Sequence, residues 1–121
     1  MSPLARKLYS QLRKRVRAGQ HSVTYAGLAR AAGDVHPRSP ALHAALGEVT
    51  NACRHTGLPV LPAIVWRAGT NRPSTGYYKV AHPRAHTDAA RLAAWEREHA
   101  KVIADPARFP VSLERPARGS G

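Results

Sequence analysis

The chain has 121 residues, one cysteine, and nineteen Lys and Arg against seven Asp and Glu, a formal charge of +12. That length supports one modest core and not two. A lone cysteine, Cys53, excludes an internal disulfide and a cysteine-built zinc site, and no apolar run approaches the ~18 residues of a membrane span. So much like charge in a compact fold favours a polyanionic partner, of which polyphosphate is the commonest, and argues against a cationic one.

In chain order, Ser2-Pro3 reads as the cap and first residue of an amphipathic helix. Leu4, Leu8, Leu12 and Val16, with Tyr9 beside them, form its apolar side, and Gly19 stops it. Ser22-Val23 is a short extended entry. Thr24 then caps a second helix, Tyr25 to Ala32, closed by Gly33. The linker Asp34 to Arg38 is a turn by composition. Ser39-Pro40 starts a third helix whose stripe is Leu42, Leu46, Val49 and Cys53, with Gly57 as its stop. Two short helices joined through a glycine turn form a helix-turn-helix candidate.

The run Leu58 to Trp66 is rich in β-branched residues, and its two prolines restrict it to an edge strand or a late-starting one. A loop over 68–75 carries Arg72, and Tyr77 to Val80 reads as the return strand. Only one of Tyr77 and Tyr78 faces inward if side chains alternate. A last helix runs from a Thr87 cap to Ala104, with Leu92, Trp95, His99, Val102 and Ile103 inside and Asp105-Pro106 as its stop. Phe109 is a candidate anchor for the tail. The expected architecture is mainly α with a small β-hairpin: a winged helix-turn-helix of about four helices and a two- to three-stranded wing. One domain is expected over 1–110, followed by a disordered basic tail over 111–121.

The charge is not evenly spread. Arg6, Lys7, Arg13, Lys14, Arg15, Arg17, Arg30 and Arg38 face a single acid, Asp34, in the first 38 residues. Arg67, Arg72, Lys79 and Arg84 face none, whereas residues 85–105 are nearly balanced. Segregation along the chain points to one basic face more than to general solubility. The basic N-terminus lacks an apolar signal core, so a cytoplasmic protein is expected, nucleoid-associated if bacterial.

Other chemistries find less support. The seven histidines are scattered; only His82 and His86 share a four-residue spacing, and Pro83 spoils the helix that would align them. The acids do not cluster, so no metal, two-metal nuclease or carboxylate pair is expected, and no cofactor. Cys53 has Arg54 and His55 beside it, which favours a thiolate, but it lies on the apolar stripe and reads as a buried structural residue. Trp66, Tyr77 and Tyr78 are candidates to stack on bases, the alternative being that Trp66 and one tyrosine are core residues of a two-stranded sheet and only the other tyrosine is exposed and available.

Ser22-Val23-Thr24-Tyr25-Ala26-Gly27-Leu28-Ala29-Arg30-Ala31-Ala32-Gly33 resembles the Val-x-Thr-Tyr-Gly-x-Leu-Ala-x-x-Ala-Gly segment of the alkylguanine-DNA alkyltransferases and their non-enzymatic, alkyltransferase-like relatives. Pro40 to Cys53 stands where that family has its DNA-recognition helix, with Leu46-Gly47 for a usual Val-Gly pair. Leu58 to Trp66, Gly69 and Gly76-Tyr77 are similar to the family's Ile-Pro-Cys-His-Arg-Val-Val strand and glycine-rich wing. The resemblance covers about residues 20–80. It implies that Tyr25 contacts the backbone beside a flipped base. It also places Val60 or Ala63 where the family's reactive cysteine stands, and the following His-Arg is absent. Alkyl transfer is thereby excluded. The arginine that fills the vacated stack is absent too, with Leu42, His43 and Ala44 near its place.

The leading expectation is therefore a non-enzymatic nucleic-acid-binding protein, directed to double-stranded DNA with RNA as a lesser partner. Its contacts are Tyr25, Arg30, Arg38, His43, Arg54, Arg67, Arg72 and Lys79, mainly to phosphate. Arg91, Arg97 and Lys101 are expected off that face. The alternatives are a small nuclease or toxin acting on nucleic acid, and a protein-interaction modulator of a nucleic-acid machine.

Overall fold

A computed structural model describes residues 1–33 and 35–113. Asp34 of the expected linker, and residues 114–121 of the expected disordered tail, lie outside the described residues. Five α-helices occur among the described residues: α1 (Pro3–Arg17), α2 (Tyr25–Ala31), α3 (Pro40–His55), α4 (Thr75–Ala81) and α5 (Asp88–Ala104). Two strands, β1 (Val23–Thr24) and β2 (Val65–Trp66), pair in parallel, Val23 with Val65 and Thr24 with Trp66. The protein is thus mainly helical, as the periodicity predicts, and its small sheet differs from the expectation in kind.

Capping explains where the helices begin. Ser2 Oγ accepts the Ala5 N–H, Thr24 Oγ1 that of Gly27, Ser39 Oγ that of Ala41 and Thr87 Oγ1 that of Ala90. The third helix ends in a left-handed cap. Gly57, at φ 73°, lets its own N–H reach the Arg54 carbonyl and the Leu58 N–H reach that of Cys53. Helix α1 packs on α3 through Ala5, Leu8, Leu12 and Val16, all 1 % exposed or less. The chain after α5 folds back over α1. Phe109 is fully buried, the Tyr9 hydroxyl donates to the Pro110 carbonyl, and Arg13 Nε donates to that of Phe109 at 2.9 Å. Leu113 is also buried.

The hairpin does not form. Pro59 and Pro62 remove two donors from the run 58–66, and Leu61–Ile64 turns into a 3-10 helix, which leaves only Val65 and Trp66 extended. Those two residues pair with β1 across the α2–α3 connection. A parallel pair needs such a crossover, and a tight turn cannot supply it. Tyr77 to Val80, expected as a return strand, lies within α4. Tyr77, Tyr78 and Ala81 are all buried, their spacing being that of a helix face. The two tyrosine rings meet edge to face at 5.3 Å. Strand alternation therefore does not expose one tyrosine: on a short helix packed against α3, both rings reach the core.

The last helix matches its expected span, with Trp95 and Val102 buried and Leu92, His99 and Ile103 half-buried. Trp66 is half-buried against Trp95 and His99, at 5.8 and 5.6 Å between centroids. Both indole N–H groups donate to the Ala63 carbonyl. Trp66 is therefore part of the seam between β2 and α5. No helix of the described residues is long and apolar enough to cross a membrane.

Candidate nucleic-acid interface

Tyr25 opens α2 because Thr24 caps it, and this fixes the phenol under the start of α4. Its hydroxyl donates to Ser74 Oγ and accepts the Ser74 N–H, both at 3.0 Å. Its ring lies against the His43 imidazole at 5.4 Å. Tyr25 is 9 % exposed, so it acts as a brace between three elements more than as a free hydroxyl. His43 is exposed in the first turn of α3, between the small exposed residues Ala41 and Ala44.

After β2 the chain closes a tight loop. The Arg67 N–H donates to the Arg72 carbonyl at 2.7 Å and the Thr70 N–H to that of Arg67 at 3.1 Å. Thr70 Oγ1 donates to the Arg67 carbonyl and accepts the Arg72 N–H. Gly69 and Asn71 adopt positive φ, 80° and 57°, the left-handed region open to glycine and asparagine. The loop thus holds Arg67 and Arg72 side by side with its backbone groups largely satisfied internally.

Two clefts meet at Arg67. One, of about 410 Å³, is lined by Tyr25, Arg38, His43, Arg67 and Ser74 among others. Its neighbour, of about 400 Å³, is lined by Arg67, Thr70, Arg72, Thr75, Asp88 and Arg91 among others. Arg91 is held there: its Nε donates to the Ala85 carbonyl at 3.2 Å and its guanidinium carbon lies 5.8 Å from the Tyr78 ring centroid. The second cleft gathers three arginines and one carboxylate. An anion entering it meets planar, multi-donor groups suited to phosphate oxygens.

A third, smaller cleft of about 240 Å³ adjoins the first and shares Tyr25, His43 and Ser74 with it. Leu46, Gly47, Pro62, Val65, Tyr77 and Val80 make it mostly apolar, and Lys79 is its only Lys or Arg among the described residues. Its chemistry suits a flat ring more than a phosphate.

The structure therefore brings together Tyr25, Arg38, His43, Arg67 and Arg72, with Lys79 next to them. It does not bring Arg30, which is exposed on the last turn of α2 and lines none of these clefts. Nor does it bring Arg54, whose guanidinium donates to the Val80 carbonyl at 2.7 Å on the other side of α4. Arg91, expected off this face, lies on it. No signal along the chain marked it, since it lies beside Asp88 in the nearly balanced stretch 85–105. Ser74 and Thr70 had none, since their roles depend on contacts made by the fold.

Burial pushes the Cys53 thiol up to about 11, and the side chain is fully buried. Ala63, one of the two positions where the resemblance implies a reactive cysteine, is fully buried as well. Among the described residues no three His, Cys, Asp or Glu side chains come together to hold a metal ion. No protein-family profile matches the chain, and neither does any curated protein or solved structure.

Proposed function

We propose that the protein is a non-enzymatic, alkyltransferase-like DNA-binding protein that seats a duplex across α3 and the 67–72 loop, the loop standing in for the wing of a winged helix. The observation that carries this reading is the pair of basic clefts joined at Arg67. They align Arg38, His43, Arg67, Arg72 and Arg91 into one track. Phosphate contacts along such a track give affinity and register without base chemistry. Ala41 and Ala44 on either side of His43 allow the start of α3 to approach the sugar–phosphate backbone closely. A protonated, buried thiol offers no nucleophile for alkyl transfer.

The test is a mobility-shift titration of a labelled duplex across a salt series. Binding should weaken steeply with salt. The combined Arg67→Gln, Arg72→Gln and Arg91→Gln variant should flatten the log–log slope by about 0.9 for each phosphate it no longer neutralises. Absence of salt-sensitive binding below micromolar protein overturns the reading.

The apolar cleft beside His43 favours a further step, in which an unstacked base from a mismatched or modified position enters it. A 2-aminopurine placed at such a position should brighten on binding. Unchanged emission on a fully bound duplex argues for backbone contact alone.

A further inference from the structure

Arg54 belongs to a second basic surface. It lines two adjoining shallow clefts beyond α4, one shared with Arg84 and Arg97 and the other with Lys101 and Arg108. All five cations are exposed, and they come from the end of α3, the α4–α5 turn, α5 and the segment after it. Glu98 is the one carboxylate lining either cleft among the described residues. Its Oε2 accepts the Val60 N–H at 2.8 Å, which holds it to the backbone. His82, which lines the cleft of Arg84 and Arg97, sits below its ordinary value through burial first; Glu98 pulls it up, and Arg54, Arg97 and Lys101 push it down.

The position of this surface follows from helix geometry. His43 and Arg54 are eleven residues apart on α3, so they lie on nearly the same side of the helix and about 16 Å apart along its axis. Between them α4 packs on the helix, its start beside His43 and its end beside Arg54. A side chain added at Gly47 would meet Val80 Cγ2 at 3.8 Å, and Tyr77 and Val80 share a cleft with Leu46 and Thr50. The two basic surfaces thus flank α4.

We infer that this second surface binds a separate nucleic-acid segment, so that one molecule holds two duplexes, one on either side of α4. The inference rests on the duplex-binding reading of the first surface. Phosphates fit the site better than an acidic protein does. The cations are long and surround open clefts; Leu58, Pro59 and Val60 are half-buried or buried, and Pro83 and Ala90 are the exposed apolar residues lining them among the described residues. Among the described residues the site therefore has no exposed aromatic or large aliphatic anchor of the kind that dominates protein interfaces. Phosphate contact requires only placed charge.

Sedimentation of the full chain with excess short duplex at low salt tests the inference. The expected species holds two duplexes per protein. The Arg84→Gln, Arg97→Gln and Lys101→Gln variant should hold one, with affinity for that duplex within about threefold of the parent, since distant sites act independently. Arg54 is left intact because it braces Val80. A parent protein that saturates at one duplex overturns the inference and leaves duplex binding standing, as does a triple variant that still holds two. If the triple variant loses as much affinity for the first duplex as the Arg67, Arg72 and Arg91 variant, the two surfaces serve one duplex and the inference fails. A parent that binds no duplex removes both readings. Polyglutamate that competes for the second surface better than duplex does makes it a protein-directed site, which also overturns the inference.

Discussion

Tyr25 shows how a residue can be legible in the sequence and still be given its work by the fold. Its position after a capping threonine marks the start of α2, but its partners lie 18 and 49 residues away, at His43 and Ser74. Tyr25→Phe removes a hydroxyl that both donates and accepts, leaving the Ser74 N–H without its partner. The expected loss is about 1–2 kcal/mol in denaturant unfolding, together with weaker duplex binding as the 67–74 segment loosens. Unchanged stability and unchanged binding would show that the brace is dispensable. His82 makes a second prediction. Its folded value lies below the ordinary 6.5 because it is half-buried beside cations, and its Nε2 is 2.9 Å from the Tyr77 hydroxyl. Between those two values the unfolded chain binds the extra proton, so stability falls as pH drops below about 6.5. In His82→Gln that part of the pH dependence of Tm should flatten. If the parent and the variant lose stability in parallel through that window, His82 is not the titrating group.

At the scale of elements, the helices with capping residues and an apolar repeat were legible, because both signals are local. Ser2, Thr24, Ser39 and Thr87 cap the helices that the sequence marks, and Gly57 ends α3. The segment Tyr77 to Val80 was not legible as a helix. Its residues favour strands when considered alone, and its helical state depends on burial of both tyrosines against the rest of the core. The distinction is measurable. Lys79 is exposed inside α4, so Lys79→Pro should cost about 3 kcal/mol, whereas Lys79→Ala should be nearly neutral. Equal stability of the two variants would contradict a helix there. The wing was legible only as an exposed basic loop; its closure through Thr70, Gly69 and Asn71 replaces the strands that were expected.

For the whole molecule, the charge of +12 means that any polyanion binding the folded chain relieves self-repulsion and stabilises it by mass action. Saturating duplex should raise Tm, and the increment should shrink as salt rises. An increment unaffected by salt would point to contacts other than charge. The sequence by itself determined the helical class, most helix limits, the single core and the excess of positive charge. Caps, apolar repeats and composition are properties of neighbours along the chain. It also placed Arg38, His43, Arg67 and Arg72 among the candidates. Only the tertiary structure decided which cations share a surface. Arg91 joined the loop arginines, Arg54 went with Arg84, Arg97, Lys101 and Arg108, and the sheet became parallel. The reason is physical: charge and strand propensity are carried by single residues, whereas adjacency is set by how α4 and α5 bury their apolar sides. That packing separates Arg38, Arg67, Arg72 and Arg91 from Arg54, Arg84, Arg97, Lys101 and Arg108.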